Sequence, residues 1–147
     1  MILDKNATFC DATTITASVA NAIIGDVYDL GSAPTLQDIG LGAEPIYLVL
    51  SIDTAVTSNG SATVEFTLLS DSTADLATSA TTHVRTGDIA KATLVAGYEL
   101  IYPLPPGSYE RYIGIFANTK VQTLNAGKVN AFLTLNPHKF VALPDAL

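Results

Sequence analysis

Hydrophobic and polar residues alternate along most of this chain. In residues 46–53, isoleucine and leucine fill every second position, with tyrosine, valine, serine and aspartate between them. A period of two predicts a β-strand with one face on a core. The same period predicts other strands, strongly at residues 64–68, 98–104 and 129–135 and more weakly at residues 13–19, 27–30 and 81–85.

Residues 104–116, with the sequence LPPGSYERYIGIF, are the most informative stretch. Pro105, Pro106 and Gly107 predict a chain reversal, because proline fixes φ and lacks an N–H donor while glycine tolerates positive φ. The strand that follows is apolar at neighbouring positions as well as alternate ones. Such a strand needs cover on both faces, so we expect a central strand of a sandwich.

Turn residues separate the predicted strands. Ser58-Asn59-Gly60 lies between two strong strands and predicts a turn that requires positive φ. Seven or eight short strands at this spacing predict a single all-β domain over residues 1–147, a jelly-roll-like antiparallel β-sandwich. Single helical turns are expected only near residues 86–92 and 72–78.

The two ends of the chain are irregular but apolar. Pro137 and Pro144 would interrupt a strand ladder, so residues 1–11 and 137–147 are not expected to form central strands. We predict extended interaction arms, at least one of them packed on a partner subunit. The predicted contacts with a partner subunit or a second copy are the apolar arm residues together with Arg111, namely Ile2, Leu3, Phe9, Arg111, Phe140 and Val141.

Arg111 begins the predicted central strand. It has two interpretations, a bidentate carboxylate contact at an interface or a structural ion pair within the chain.

Charge and composition disfavour several classes of function. Only 14% of residues are charged, against about 25% in an average soluble domain, so we expect much of the surface to pack against partners. The net charge of −7 and the scattered basic residues disfavour binding to nucleic acid or to anionic membranes. No apolar run approaches the ~20 residues of a membrane helix, and the first residues lack a signal-peptide pattern. We expect a soluble protein made in the cytoplasm.

The residues that could act in catalysis or bind a metal do not form a known sequence motif. His83 and His138 lack metal-ligand spacing. Cys10, the single cysteine, cannot form an intramolecular disulfide; we expect a packing thiol, with an intersubunit disulfide as the alternative. Several acidic residues are predicted at loops and strand ends, but they form no calcium-loop motif, and the chain has no tryptophan on which a sugar could stack. We interpret these acidic residues as solvated turn residues: Asp26, Asp29, Asp38, Glu44, Asp71, Asp75 and Asp88. We predict no enzyme activity, catalytic residue, cofactor or metal site.

Short segments along nearly the whole chain resemble the capsid cement (decoration) proteins of tailed bacteriophages, of the type found on a short-tailed Bordetella phage. No single segment is specific to the family; the resemblance rests on the order and spacing of all the segments together. The segments are residues 1–5, 9–12, 27–31, 38–40, 46–53, 58–62, 94–97, 104–105, 111–114 and 127–131.

The resemblance implies a jelly-roll-like domain on the outer surface of a virion, where it bridges subunits of the major capsid protein and stabilises the shell. It also implies pairing with a second copy at two-fold positions, with a trimer as the alternative, and carries over no catalytic residues.

Two other functions compete with this hypothesis. One is a carbohydrate- or receptor-binding β-sandwich module. The other is a small cupin-like enzyme, which the two isolated histidines disfavour because such enzymes hold a metal with a cluster of ligands.

Overall fold

A computed structural model of the chain describes residues 7–15, 20–31, 37–39 and 44–137, with only the backbone described at 37–39. These residues form β-strands and no α-helix. In chain order the strands are β1 (Thr8–Thr14), β2 (Asn21–Asp29), β3 (Gln37–Ile39), β4 (Tyr47–Thr57), β5 (Thr63–Asp71), β6 (Thr81–Arg85), β7 (Ile89–Ala90), β8 (Glu99–Pro103), β9 (Gly107–Tyr109), β10 (Tyr112–Lys120) and β11 (Ala126–Thr134).

The strands form an antiparallel β-sandwich, as the alternation predicts. One sheet has the order β1-β11-β4-β8, and the other has the order β2-β10-β5-β6 with β7 also paired to β5. A short ribbon of β3 and β9 completes the fold. The eight long strands pair in a nested way, β1 with β11, β2 with β10, β4 with β8 and β5 with β6. This nesting agrees with the jelly-roll-like arrangement expected from the sequence.

The core lies between the two sheets. It is built from the inward alternate positions of the long strands, chiefly Leu48, Leu50 and Ile52 of β4, Val64, Phe66 and Leu68 of β5, Ile113 and Ile115 of β10, and Val129 and Ala131 of β11. Full burial of a large apolar side chain contributes roughly 1.5–3 kcal/mol, so this alternation is the main source of stability.

The predicted central strand is confirmed, because β10 lies between β2 and β5. Its two faces differ, however. Ile113 and Ile115 are fully buried in the core, whereas Phe116 on the outer face is only half-buried. Part of the outer face is covered by the β5–β6 loop, since an added Cβ at Gly114 would lie 2.5 Å from Leu76 Cδ1.

Four local predictions are wrong. The weak strand predicted at residues 13–19 is β1 at Thr8–Thr14; residues 16–19 lie outside the described part. Residues 72–78 form a hydrogen-bonded turn, and residues 86–92 contain β7 rather than a helical turn. The Ser58–Gly60 turn has no positive φ at these residues and crosses from one sheet to the other.

A close backbone approach closes one side of the sandwich. Gly25 of β2 has φ +74°, and an added Cβ there would lie 2.1 Å from the carbonyl oxygen of Phe9 in β1. Only glycine allows this approach, because it has no Cβ and adopts positive φ readily. The edges of the two sheets are therefore held together at Gly25.

Gly25→Ala should destabilise the protein by about 3 kcal/mol or more, because the methyl group meets backbone that cannot move aside. Gly97 is the matched control, with φ +82° and nothing within 4 Å of an added Cβ. Gly97→Ala should lower the free energy of unfolding by only about 1–2 kcal/mol, the cost of placing alanine at a positive φ. Urea unfolding of both variants measures the difference, and equal losses would contradict the close contact.

Candidate interaction surfaces

The structure places two of the predicted contact residues, and the others lie outside the described part. Ile2, Leu3, Phe140 and Val141 belong to the latter group. Phe9 is 1% exposed, and its ring centroid lies 4.6 Å from that of Tyr28. Because β1 turns this ring into the core, Phe9 contributes to the fold and is not available at the surface.

The predicted arms are only partly described. Residues 8–11 of the first arm belong to β1, an edge strand rather than a central one. Of residues 137–147 only Pro137 is described, and it is buried.

Arg111 forms an ion pair within the chain. Its Nε lies 2.8 Å from Asp29 Oδ1 and its Nη2 lies 2.7 Å from Asp29 Oδ2, so the residue just before β10 makes a bidentate pair with the last residue of β2. The guanidinium carbon also lies 4.9 Å from the Tyr112 ring centroid. Of the two interpretations, the structure shows the intrachain pair.

The Arg111–Asp29 pair should be visible in a titration. Hydrogen bonds from Arg111 lower the pKa of Asp29 from 3.8 to about 2. A lowered carboxyl pKa adds stability above pH 3.8, and this stability is lost as the pH falls towards 2. In an NMR titration of the side-chain carboxyl, Arg111→Lys should raise the Asp29 pKa, because lysine cannot make the bidentate contact. An unchanged pKa would contradict the pair.

His83 is in a structural cluster at the end of the sandwich. It stacks on Tyr109 with ring centroids 3.8 Å apart, and its Nε2 lies 2.7 Å from Ser70 Oγ. Ser70 is fully buried, so its hydroxyl is not accessible to an outside substrate. Burial lowers the pKa of His83 below its ordinary value. The cluster anchors the β8–β10 connection, because Tyr109 also donates to the Pro105 carbonyl.

Cys10 is a buried thiol, as expected. Its Sγ lies 3.5 Å from the Val129 carbonyl oxygen, and desolvation raises its pKa to about 11. A thiol with so high a pKa is a poor nucleophile at neutral pH.

The acidic residues noted in the sequence do not form a cluster. Asp75 accepts hydrogen bonds from Thr73 and from the Ala77 amide within its own loop, and Asp88 pairs with Lys120. Asp71 is buried at the end of β5, and the Asp38 side chain is not described. Among the described residues, no group of three or more His, Cys, Asp or Glu could hold a metal ion. In the same residues, no helix has the length and apolar character to cross a membrane.

The four edge strands of the sandwich differ in regularity. The ladders of β1, β2 and β6 with their neighbours each contain at least one register shift, which marks a bulge. Bulges protect an edge from pairing with another chain. The β4–β8 ladder has no shift over residues 99–103. Among the four edges, β8 is therefore the one with an uninterrupted register.

One side of β8 pairs with no strand among the described residues, and the backbone groups that point to this side can be identified. The hydrogen bonds from Ile52 N to Tyr98 O and from Leu104 N to Ile46 O show that even-numbered residues of β8 face β4. The N–H and C=O groups of Glu99 and Ile101 therefore point away from the sheet. Pro103 occupies the next outward position, where its missing N–H costs no intrachain bond.

Ile101 also belongs to an apolar row on the outer face of the four-stranded sheet. The register aligns Ile101 with Val49 and Val49 with Phe132. Val49 and Phe132 are buried, but Ile101 is 39% exposed at the edge of the row. The β8 edge thus combines free backbone groups with an exposed apolar side chain.

Other exposed large apolar residues lie at the two ends of the sandwich. Val121, 66% exposed with φ +72°, is in the β10–β11 loop, near the β7–β8 loop that carries Val95. A β-branched residue with positive φ is strained, and an exposed strained residue often marks a contact site. Leu135 is 59% exposed at the opposite end, just after β11.

The sequence analysis did not identify Val121 or the β8 edge as candidate contact sites. Val121 has no sequence signal, because nothing in its neighbours predicts the backbone conformation. Pro103 is a usable signal, since proline in a predicted strand favours an edge strand.

One family model matches this chain. The model of the Bbp16 family matches residues 9–133, which run from β1 to β11 and include both sheets. No curated protein matches the chain.

Proposed function

Because the chain belongs to the Bbp16 family, we propose that it is a structural protein of a phage particle, a capsid cement protein. Bbp16 is a Bordetella phage protein, which makes a phage-related role the natural assignment. In this role the protein binds the outer surface of the shell and bridges subunits of the major capsid protein. It is made in the host cytoplasm and needs no catalytic residue, cofactor or metal.

The observation that carries the proposal is the extent of the family match, which includes both sheets of the sandwich. Two features of the surface support it. The chain is poor in charged residues. Exposed apolar side chains lie at the β8 edge, where Ile101 is, and at both ends of the sandwich, where Val121 and Leu135 are. A bridging protein needs more than one contact surface, because simultaneous contacts raise the apparent affinity steeply.

Purified shells of the phage that encodes the protein provide the direct test. Shells prepared without the protein should bind it in a co-sedimentation assay and should then withstand higher temperatures. Because salt screens contacts between charges and not apolar contacts, moderate salt should not release it. If shells neither bind the protein nor gain heat resistance, the cement proposal is wrong.

Single aspartate substitutions at the exposed apolar residues locate the docking surface. Val121→Asp and Leu135→Asp place a charge at opposite ends of the sandwich, away from the β8 edge. The variant that loses shell binding while keeping its melting temperature identifies the contact. Loss of binding in neither of them would contradict apolar docking.

We further propose that the protein forms a homodimer through β8. Antiparallel pairing of two copies about Ile101 gives two hydrogen bonds between the Ile101 residues, since the N–H and C=O of each point outward. Each Glu99 N–H then reaches the Pro103 carbonyl of the other copy. The contact buries both Ile101 side chains on the same face and is its own complement under a two-fold axis. A trimer cannot use this self-pairing, so the dimer is favoured.

Ile101→Pro tests the β8 pairing selectively. Proline removes an outward N–H and leaves the β4–β8 ladder intact, so the variant should fold but become monomeric. Ile101→Val is the matched control, because it keeps the N–H and should remain dimeric. Sedimentation velocity measures the oligomeric state, with circular dichroism as the check on folding. A dimeric Ile101→Pro variant, or a trimeric wild type, would contradict the proposed contact.

A further inference from the structure

A polar groove crosses the outer face of the five-stranded sheet. It has a volume of about 450 Å³ and lies between the sheet and the β5–β6 loop. The floor is formed by β5 and β10, with Thr67 and Leu69 beside Phe116 and Asn118. Asn21 of β2 and Arg85 of β6 line the groove from the neighbouring strands.

The loop wall of the groove is held in a strained conformation. Leu76 has φ +50° and Ser79 has φ +67°, values that cost energy for residues other than glycine. Leu76 is nevertheless 2% exposed, because its side chain fills the space that Gly114 leaves on β10. The groove therefore exists before any ligand arrives, which reduces the ordering cost of binding.

The charges in the groove balance. Glu65 is almost fully buried, and its Oε1 lies 3.1 Å from Arg85 Nε while its Oε2 pairs with Lys120. Lys120 also pairs with Asp88, and these two acids raise the pKa of the lysine. Two cations and two carboxylates thus form a neutral network, which favours neither an anion nor a cation.

The remaining polar groups suit a ligand rich in hydroxyls. Asn21 and Asn118 are aligned on neighbouring strands, and no described residue gives either side-chain amide a hydrogen-bond partner. An amide offers two donors and an acceptor, which matches hydroxyl groups that both donate and accept. Phe116 adds a half-buried aromatic ring on which an apolar C–H face can pack.

A peptide strand is a poorer fit. The floor strand β10 is hydrogen-bonded on both sides, to β2 and to β5, so its backbone offers no ladder positions to a peptide. Recognition in the groove must come from side chains on a sheet face. From this groove we propose a second function: a binding site for a neutral saccharide unit, independent of shell docking.

The test uses the full-length protein and NMR amide shifts. The probes are maltose, lactose, N,N′-diacetylchitobiose and methyl α-mannoside. At least one should give saturable shifts at the amides of Thr67, Asn118 and residues 76–80. Asn118→Ala should weaken that binding about tenfold, the equivalent of one hydrogen bond. Phe116→Leu should also weaken it, because the ring face is lost.

Two kinds of control make the result decisive. Asn136→Ala removes an exposed amide that does not line the groove, and it should leave saccharide binding unchanged. Sialyllactose and overlapping peptides of the major capsid protein are the competing probes. Tighter groove binding by either, no saturable shift with any neutral sugar, or shifts unaffected by Asn118→Ala would overturn the proposal.

Discussion

The close approach of β1 to β2 at Gly25 is the constraint on which the surface of this protein depends. The Phe9 carbonyl lies where a side chain of any other residue would begin, so the two sheets meet along this side. Both strands are bulged there, and neither presents a regular ladder to another molecule. The opposite side of the sandwich carries β6 and β8, and β8 alone keeps its register. The regular edge, β8, therefore lies on the side of the sandwich away from the Gly25 contact.

The sequence predicted the strands whose pairing is regular. Strands β4, β5, β6 and β8 were predicted from the period of two, because their apolar side chains point into the core from alternate positions; in β5 the outward positions are buried as well. The first strand was misplaced because bulges break its alternation: β1 shifts register twice, and Ala12 has φ +44°. The interpretation of Asn59-Gly60 was wrong for a different reason. Gly60 is needed because Gln122 packs against it, a contact from 62 positions further along the chain, rather than for its φ.

The groove could not have been predicted, because its parts come from four strands and a loop. Glu65 is one of two charged residues in β5, and no local pattern links it to Arg85 or Lys120. The pairing of β5 with β6 and β10 brings these residues together, and that pairing depends on the whole fold. Arg111 shows the opposite case. Its residue type and its place near a strand start left two interpretations, a bidentate contact at an interface or an ion pair within the chain, and the structure shows the intrachain pair with Asp29.

The nested pairing of the strands also sets the order of events during synthesis. Cys10 contacts Val129, 119 residues later, so β1 has no ladder partner until β11 has left the ribosome. Contacts between such distant residues slow folding, since the intervening chain must be ordered first. β5 and β6 can pair much earlier, because a single loop joins them. β1 is therefore among the last strands of this domain to be placed, although it precedes the other described strands in the chain.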